Sequence, residues 1–173
     1  DKAAVAYGNV RKFSPPPLLD FQSRLRYGSM LAATGEHSRA LKILDEMNQD
    51  QLTVEQHGLV DLEIGGTYFG MGDTARGFSL YNMIDTTYKH TDASAKSYFR
   101  RARMYKDQQF DYKSARDYYN KAKAEFPASE VTPLAAREAD NLEHYFATID
   151  GLKKYRDLYV QSSYRDSVMA AAG

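Results

Sequence analysis

The chain has neither cysteine nor tryptophan among its 173 residues. Without cysteine there is no disulfide, no thiolate nucleophile and no cysteine-ligated zinc site, and the compartment stays open. Net charge is absent as well: 23 Lys plus Arg balance 23 Asp plus Glu, so no global field draws the chain to nucleic acid or to a membrane surface. No apolar run approaches the roughly 18 residues that span a bilayer, and no signal-peptide pattern is present. The four histidines, at 37, 57, 90 and 144, include no pair at i, i+3 or i, i+4, so no helical metal pair exists. Asp45-Glu46, Asp61 with Glu63, and Asp140 with Glu143 offer no apolar pocket to drive two carboxyl pKa values apart. No Ser or Thr stands in the strand–turn–helix context of a nucleophile. The expectation is no enzyme, no metal and no cofactor.

What remains is 43% hydrophobic and 27% charged, enough for a core and a solvated surface in one domain. Fourteen Tyr and eight Phe suit interdigitating helix interfaces. The organising stretch is Phe21 to Met47. Leu25, Tyr27, Leu31 and Ala32 keep helical spacing, Thr34-Gly35 breaks it, and Ala40, Leu44 and Met47 resume it. Gly28 would cost about 1 kcal/mol against Ala in a lone helix, so close helix–helix approach is the better reason for it.

The same pattern returns. Gly65, Tyr68, Gly72, Gly77, Tyr81 and Ile84 repeat it, and Ala102, Tyr105, Ala115, Tyr119 and Ala122 repeat it again, with one extra loop residue before Asp111. Ala3, Ala40, Gly77 and Ala115 are spaced by 37, 37 and 38 residues. Ser14-Pro15-Pro16-Pro17 cannot continue a helix. Asp73 is placed to cap the helix after Gly72. After Val131, Thr132 reads as an N-cap with Pro133 at the first helical position. Leu134 to Tyr159 then keeps helical spacing, with Asp150-Gly151 either a break or a kink. Ser163 with Asp166 could open a short helix, and the Ala-Ala-Ala-Gly end reads as frayed.

Small residue, turn glycine, small residue and a large residue four later resembles the tetratricopeptide repeat, TPR. The resemblance implies an all-α right-handed solenoid of antiparallel helix pairs with a C-terminal capping helix. It divides the chain into a half repeat at 2–15, repeats at 18–51, 54–90 and 92–127, one or more capping helices at 132–161, and a tail at 163–173. The period exceeds the usual 34 by about one helical turn, so longer helices or loops are expected. A leading half repeat is expected of a piece of a longer protein, with any export signal or lipid anchor on the preceding part.

Two motifs compete for a chemical role. Gly70-Met71-Gly72-Asp73-Thr74-Ala75 has GxGxxA spacing, but no strand precedes it, so it reads as a turn and not a dinucleotide site. Lys96 to Lys106 carries five basic residues and three aromatics with no acid. By the TPR resemblance, the groove-lining positions include Leu25, Leu62, Phe69, Phe99, Arg103 and Lys106. The groove is then expected to grade from apolar to basic and to bind a protein or peptide with hydrophobic and acidic anchors. Nucleic acid is not expected, because one short basic run gives few phosphate contacts. The TPR clamp for a terminal carboxylate needs Asn where this chain has Ser29, Gly66 and Arg103, which argues against a chaperone-tail receptor.

Ala124-Glu-Phe-Pro-Ala-Ser129 resembles the TPRs of bacterial β-barrel assembly lipoproteins. Tyr155-Arg-Asp-Leu-Tyr159 and Tyr164-Arg-Asp-Ser-Val168 resemble the segment after the TPRs in outer-membrane lipoproteins of type IX secretion and gliding motility. These resemblances imply a periplasmic, outer-membrane-associated scaffold of a secretion or assembly complex. The alternative is a cytoplasmic TPR regulator or adaptor that recognises a linear peptide.

Overall fold

A computed structural model describes residues 2–172, leaving aside the side chains of 3–5, 11, 171 and 172. The packing of the Ala3 side chain in the repeated pattern, and Gly173 at the end, therefore lie outside what is described. The described chain is all-helical, with eight α-helices and no strand: α1 (Lys2–Asn9), α2 (Pro17–Ala33), α3 (His37–Asn48), α4 (Val54–Gly70), α5 (Thr74–Thr87), α6 (Asp92–Asp107), α7 (Tyr112–Glu125) and α8 (Thr132–Ala172). A 3₁₀ turn, Val10–Phe13, follows α1.

Local chemistry sets the boundaries. Pro17 opens α2 at a position where its missing N–H costs nothing. Thr53 and Gln56 form a capping box at α4, each side chain bonding the other's backbone N–H. Asp73, Thr91 and Asp111 cap α5, α6 and α7 by accepting from the N–H groups of Arg76, Ser94 and Ser114. Gly35 and Gly72 close α2 and α4 with φ of 85° and 81°. Each lies in a paired-bond motif, Glu36 N–H to Leu31 O at 2.8 Å and Asp73 N–H to Tyr68 O at 2.9 Å. The third such turn has no glycine: Phe110 takes φ 55°, and the extra residue Gln109 lets Asp111 N–H reach Tyr105 O at 3.0 Å.

Each helix packs on its neighbour in sequence, and α2 also meets α4, as α4 meets α6. Small residues are where backbones approach, and the facing residue is a large one. A Cβ on Gly28 would lie 2.9 Å from Leu44 Cδ2, one on Gly65 2.7 Å from the Tyr81 ring, and one on Gly77 2.7 Å from the Phe69 ring. Gly28 is thus nested on Leu44, one turn beyond Ala40. The core changes character along the chain. Phe21, Leu44, Met47, Val60 and Ile64 are one cluster, Leu62, Tyr81, Ile84 and Ala93 a second. A third, alanine-rich cluster joins α6, α7 and α8 around the buried Tyr119.

Two expectations near the C-terminus meet a different outcome. Thr132 does not cap α8; its hydroxyl donates to Phe126 O at 2.8 Å, and Ala135 N–H bonds Val131 O. Asp150-Gly151 and Ser163 interrupt nothing, since α8 is one helix of 41 residues, about 60 Å long at 1.5 Å per residue. Its first half buries Ala135, Ala139 and Leu142, whereas the side chains from Leu152 to Ala170 are all exposed.

Candidate functional site

Helical spacing puts Leu18, Gln22, Leu25 and Ser29 on one side of α2, as it does Gln56, Leu59 and Glu63 on α4, and Lys96, Phe99 and Arg103 on α6. These three sides, with Glu130 and Val131 ahead of α8, enclose a cavity of ≈ 750 Å³. Its lining repeats at the sequence period. Gln22, Leu59 and Lys96 are 37 residues apart in turn, as are Leu25, Leu62 and Phe99, and Arg26, Glu63 and Arg100. A shallower hollow of ≈ 570 Å³ shares Ser29, Glu63 and Arg100 and runs on over Ala32, Ala33, Gly66 and Gly70. Small residues form the floor of this hollow, with the His37 ring lying against Gly70 and the Arg100 guanidinium against Gly66.

The six residues expected to line one face are divided by the structure. Leu25, Leu62, Phe99 and Arg103 line the larger cavity. Leu62 is at its base, 1% exposed and packed with the core, and Phe99 leans on Tyr119 with ring centroids 5.5 Å apart. Phe69 lies outside this lining: it packs edge-on against Phe78, tilts on Tyr81 at 5.0 Å, and presses on Gly77. Lys106 lies outside it too, its Nζ 2.5 Å from Glu138 of α8, which ties α8 to α6.

The basic run of α6 is largely neutralised by carboxylates from elsewhere. Lys96 sits 2.8 Å from both Asp92 and Glu130. Arg100 pairs with Glu63 and donates from Nη1 to Leu62 O at 3.2 Å. Burial opposes the charge on Arg100, but Glu63 and Tyr81 more than offset it, so its pKa is raised. Arg101 is buried against Asp85, with Nη2 2.5 Å from Oδ2, and donates to Asn82 Oδ1 at 3.0 Å. Tyr81, Tyr98 and Tyr118 surround its guanidinium at 5.3 to 5.9 Å. Burial pushes the Asp85 carboxyl up to about 6, with Arg101 pulling the other way. Only Arg103 of this run is predominantly exposed, at 64%, beside Asp107 at 3.7 Å on its own helix.

These pairings are not visible within the run itself, because the carboxylates come from outside it. A usable signal was present: Glu63 stands 37 residues before Arg100, one full period. Arg26, absent from the positions expected to line the groove, occupies the same place on α2 as Arg100 does on α6 and lines the cavity. A second polar set clamps the α3–α4–α5 junction. The buried Asp61 accepts from Asn48 Nδ2 at 2.9 Å and from Tyr88 Oη at 2.7 Å, and His57 Nδ1 meets Asn48 Oδ1 at 3.2 Å.

Chemically the cavity offers an apolar base, guanidinium groups and amides. Among the described residues no group of three or more His, Asp or Glu could hold a metal ion. Residues 70–75 form the α4–α5 turn, not a phosphate cradle after a strand. No helix of the described chain is long and apolar enough to cross a membrane. Comparisons with protein-family models, with curated proteins and with solved structures found no match.

Proposed function

We propose that the chain is a non-catalytic TPR-like scaffold that holds a segment of a partner protein in the cavity between α2, α4 and α6. On this reading α2/α3, α4/α5 and α6/α7 are antiparallel pairs stacked in a right-handed solenoid, α1 is a half repeat and α8 covers the last pair. One observation carries it. Leu25, Leu62 and Phe99, one period apart in the chain, come together on a single cavity, as the inner face of a repeat stack requires. A surface shaped by repetition and lined by apolar and guanidinium groups suits an extended or helical polypeptide. The proposed setting is a secretion or assembly complex of a bacterial envelope, supported by the short resemblances at 124–129 and 155–168.

The reading is tested with a photo-crosslinking residue placed at Gln22, on the cavity, or at Lys42, on the exposed side of α3. In the cells that make the protein, a discrete adduct is expected from position 22 and none from position 42. Adducts from position 42 alone, or none from either, would remove the basis for assigning the cavity to a partner.

A further inference from the structure

The charged rung of the cavity shows how it treats a carboxylate. Arg26, Glu63 and Arg100 stand one period apart on α2, α4 and α6. Arg100 takes the Glu63 carboxylate, which settles the charge of those two. Arg26 holds the equivalent place on α2, is exposed, and has no carboxylate paired with it among the described residues.

Across the cavity, Arg103 is the other available cation. Its contact with Asp107 is 3.7 Å long between groups 64% and 50% exposed, an ion pair that contributes little. Lys96 is already shared between Asp92 and Glu130. The remaining acid of the lining, Glu55, lies in the first turn of α4, where the positive end of the helix offsets its charge. The cavity is left with an apolar base flanked by two uncommitted guanidinium groups on different helices.

We infer that the segment bound here is acidic and amphipathic: a large apolar side chain rests on Leu25, Leu59 and Phe99, with one carboxylate for Arg26 and one for Arg103. The inference rests on the partner-binding reading above. The planar guanidinium fork matches carboxylate geometry and supplies orientation as well as attraction. Two cations on separate helices give a polyphosphate too few contacts to compete.

The test is selection of a random peptide display library on the whole chain, followed by affinity measurement on three proteins. These are the unaltered chain, the double reversal Arg26→Glu with Arg103→Glu, and Gln22→Trp, which fills the cavity from an exposed position. Helical circular dichroism and cooperative melting establish that each variant is folded. Peptides that lose binding to Gln22→Trp are expected to carry Asp or Glu on both sides of a large apolar residue. They should bind the double reversal about tenfold or more weakly, and the unaltered chain less tightly as salt is raised. Cavity-dependent peptides without acidic enrichment, or with full affinity for the double reversal, overturn this inference and leave the partner-binding reading standing. If no selected peptide depends on the cavity, both are overturned.

Discussion

The ring of Tyr81 occupies the space that a side chain at residue 65 would need: its Cε1 lies 2.7 Å from where a Cβ on Gly65 would be. Tyr81 is 1% exposed, so the ring cannot swing out to solvent. Overpacking of this kind costs about 1–3 kcal/mol, against a gain of about 1 kcal/mol in helix propensity for Gly→Ala. Gly65→Ala is therefore expected to lower stability by up to about 2 kcal/mol, despite the better helix former. Gly28→Ala meets Leu44 Cδ2 at 2.9 Å and Cγ at 3.0 Å, less tightly than Gly65 meets Tyr81, and should cost less. Urea denaturation of the two variants checks the order; a stabilised Gly65→Ala would mean that α4 and α5 are not in this close contact.

Phe110 makes a second, opposite test. It adopts φ 55° while 68% exposed, so its ring contributes little packing and its backbone is strained. Left-handed geometry costs a non-glycine residue about 1–2 kcal/mol, and glycine returns part of that as unfolded-state entropy. Phe110→Gly should stabilise by about 0.5–1 kcal/mol. Gly35→Ala and Gly72→Ala, at φ 85° and 81° in the other two turns, should destabilise by about 1 kcal/mol. Thermal melts of all three variants would reveal the sign reversal.

The Asp85–Arg101 pair links stability to pH. Only one hydrogen bond joins the two side chains, and Asp85 Oδ1 and Arg101 Nε lack partners among the described residues. Asp85 is raised to about 6, above the usual carboxylate value of about 3.9 in an unfolded chain. Between those values the folded state holds a proton that the unfolded state has released. This group's contribution to stability therefore declines as pH rises from about 4 to about 6 and is level beyond. Asp85→Asn should flatten that part of the profile, measured as urea midpoints from pH 4 to pH 7. An unaltered slope would show that Asp85 titrates elsewhere.

The same pair is asymmetric to mutation. Arg101 keeps its charge at every accessible pH, whereas Asp85 can be neutralised by a proton. Asp85→Ala strands a buried guanidinium and should cost about 3 kcal/mol or more. Arg101→Met should cost less, and least below about pH 6, where Asp85 is protonated with or without the arginine. Equal penalties at pH 5 would contradict this arrangement.

In α8, Gly151 sits mid-helix with no atom within 4 Å of a Cβ built on it. Gly151→Ala should gain about 1 kcal/mol of local helix stability, which is about a fivefold slower amide exchange in the surrounding turns. Exchange measured by mass spectrometry over residues 147–160 reports it directly. Unchanged exchange would indicate that the helix is already broken there in solution.

Helices and their ends were legible because their causes are local. Gly35 and Gly72 close helices by taking a conformation that costs other residues energy, and Asp73 caps α5 through a hydrogen bond spanning three residues. The extra loop residue before Asp111 was legible for the same reason. The break considered at Asp150-Gly151 was less so, since a lone glycine lowers helix stability without ending a helix.

The site was legible only in part. Leu25, Leu62 and Phe99 could be placed on one face, because their spacing is a property of the chain. The fates of Phe69 and Lys106 could not, since one depends on how closely Gly77 lets a ring approach and the other on where Glu138 arrives.

The sequence by itself determined an all-helical chain and where the chain turns, through residues that act on their own backbone. Only the tertiary structure decided which charges are paired across helices. Arg100 meets Glu63 across 37 residues, and Lys106 meets Glu138 across 32. Arg26 meets no carboxylate at all among the described residues. Ion pairing depends on distances of a few ångströms between separate helices, and no local pattern of residues sets those distances.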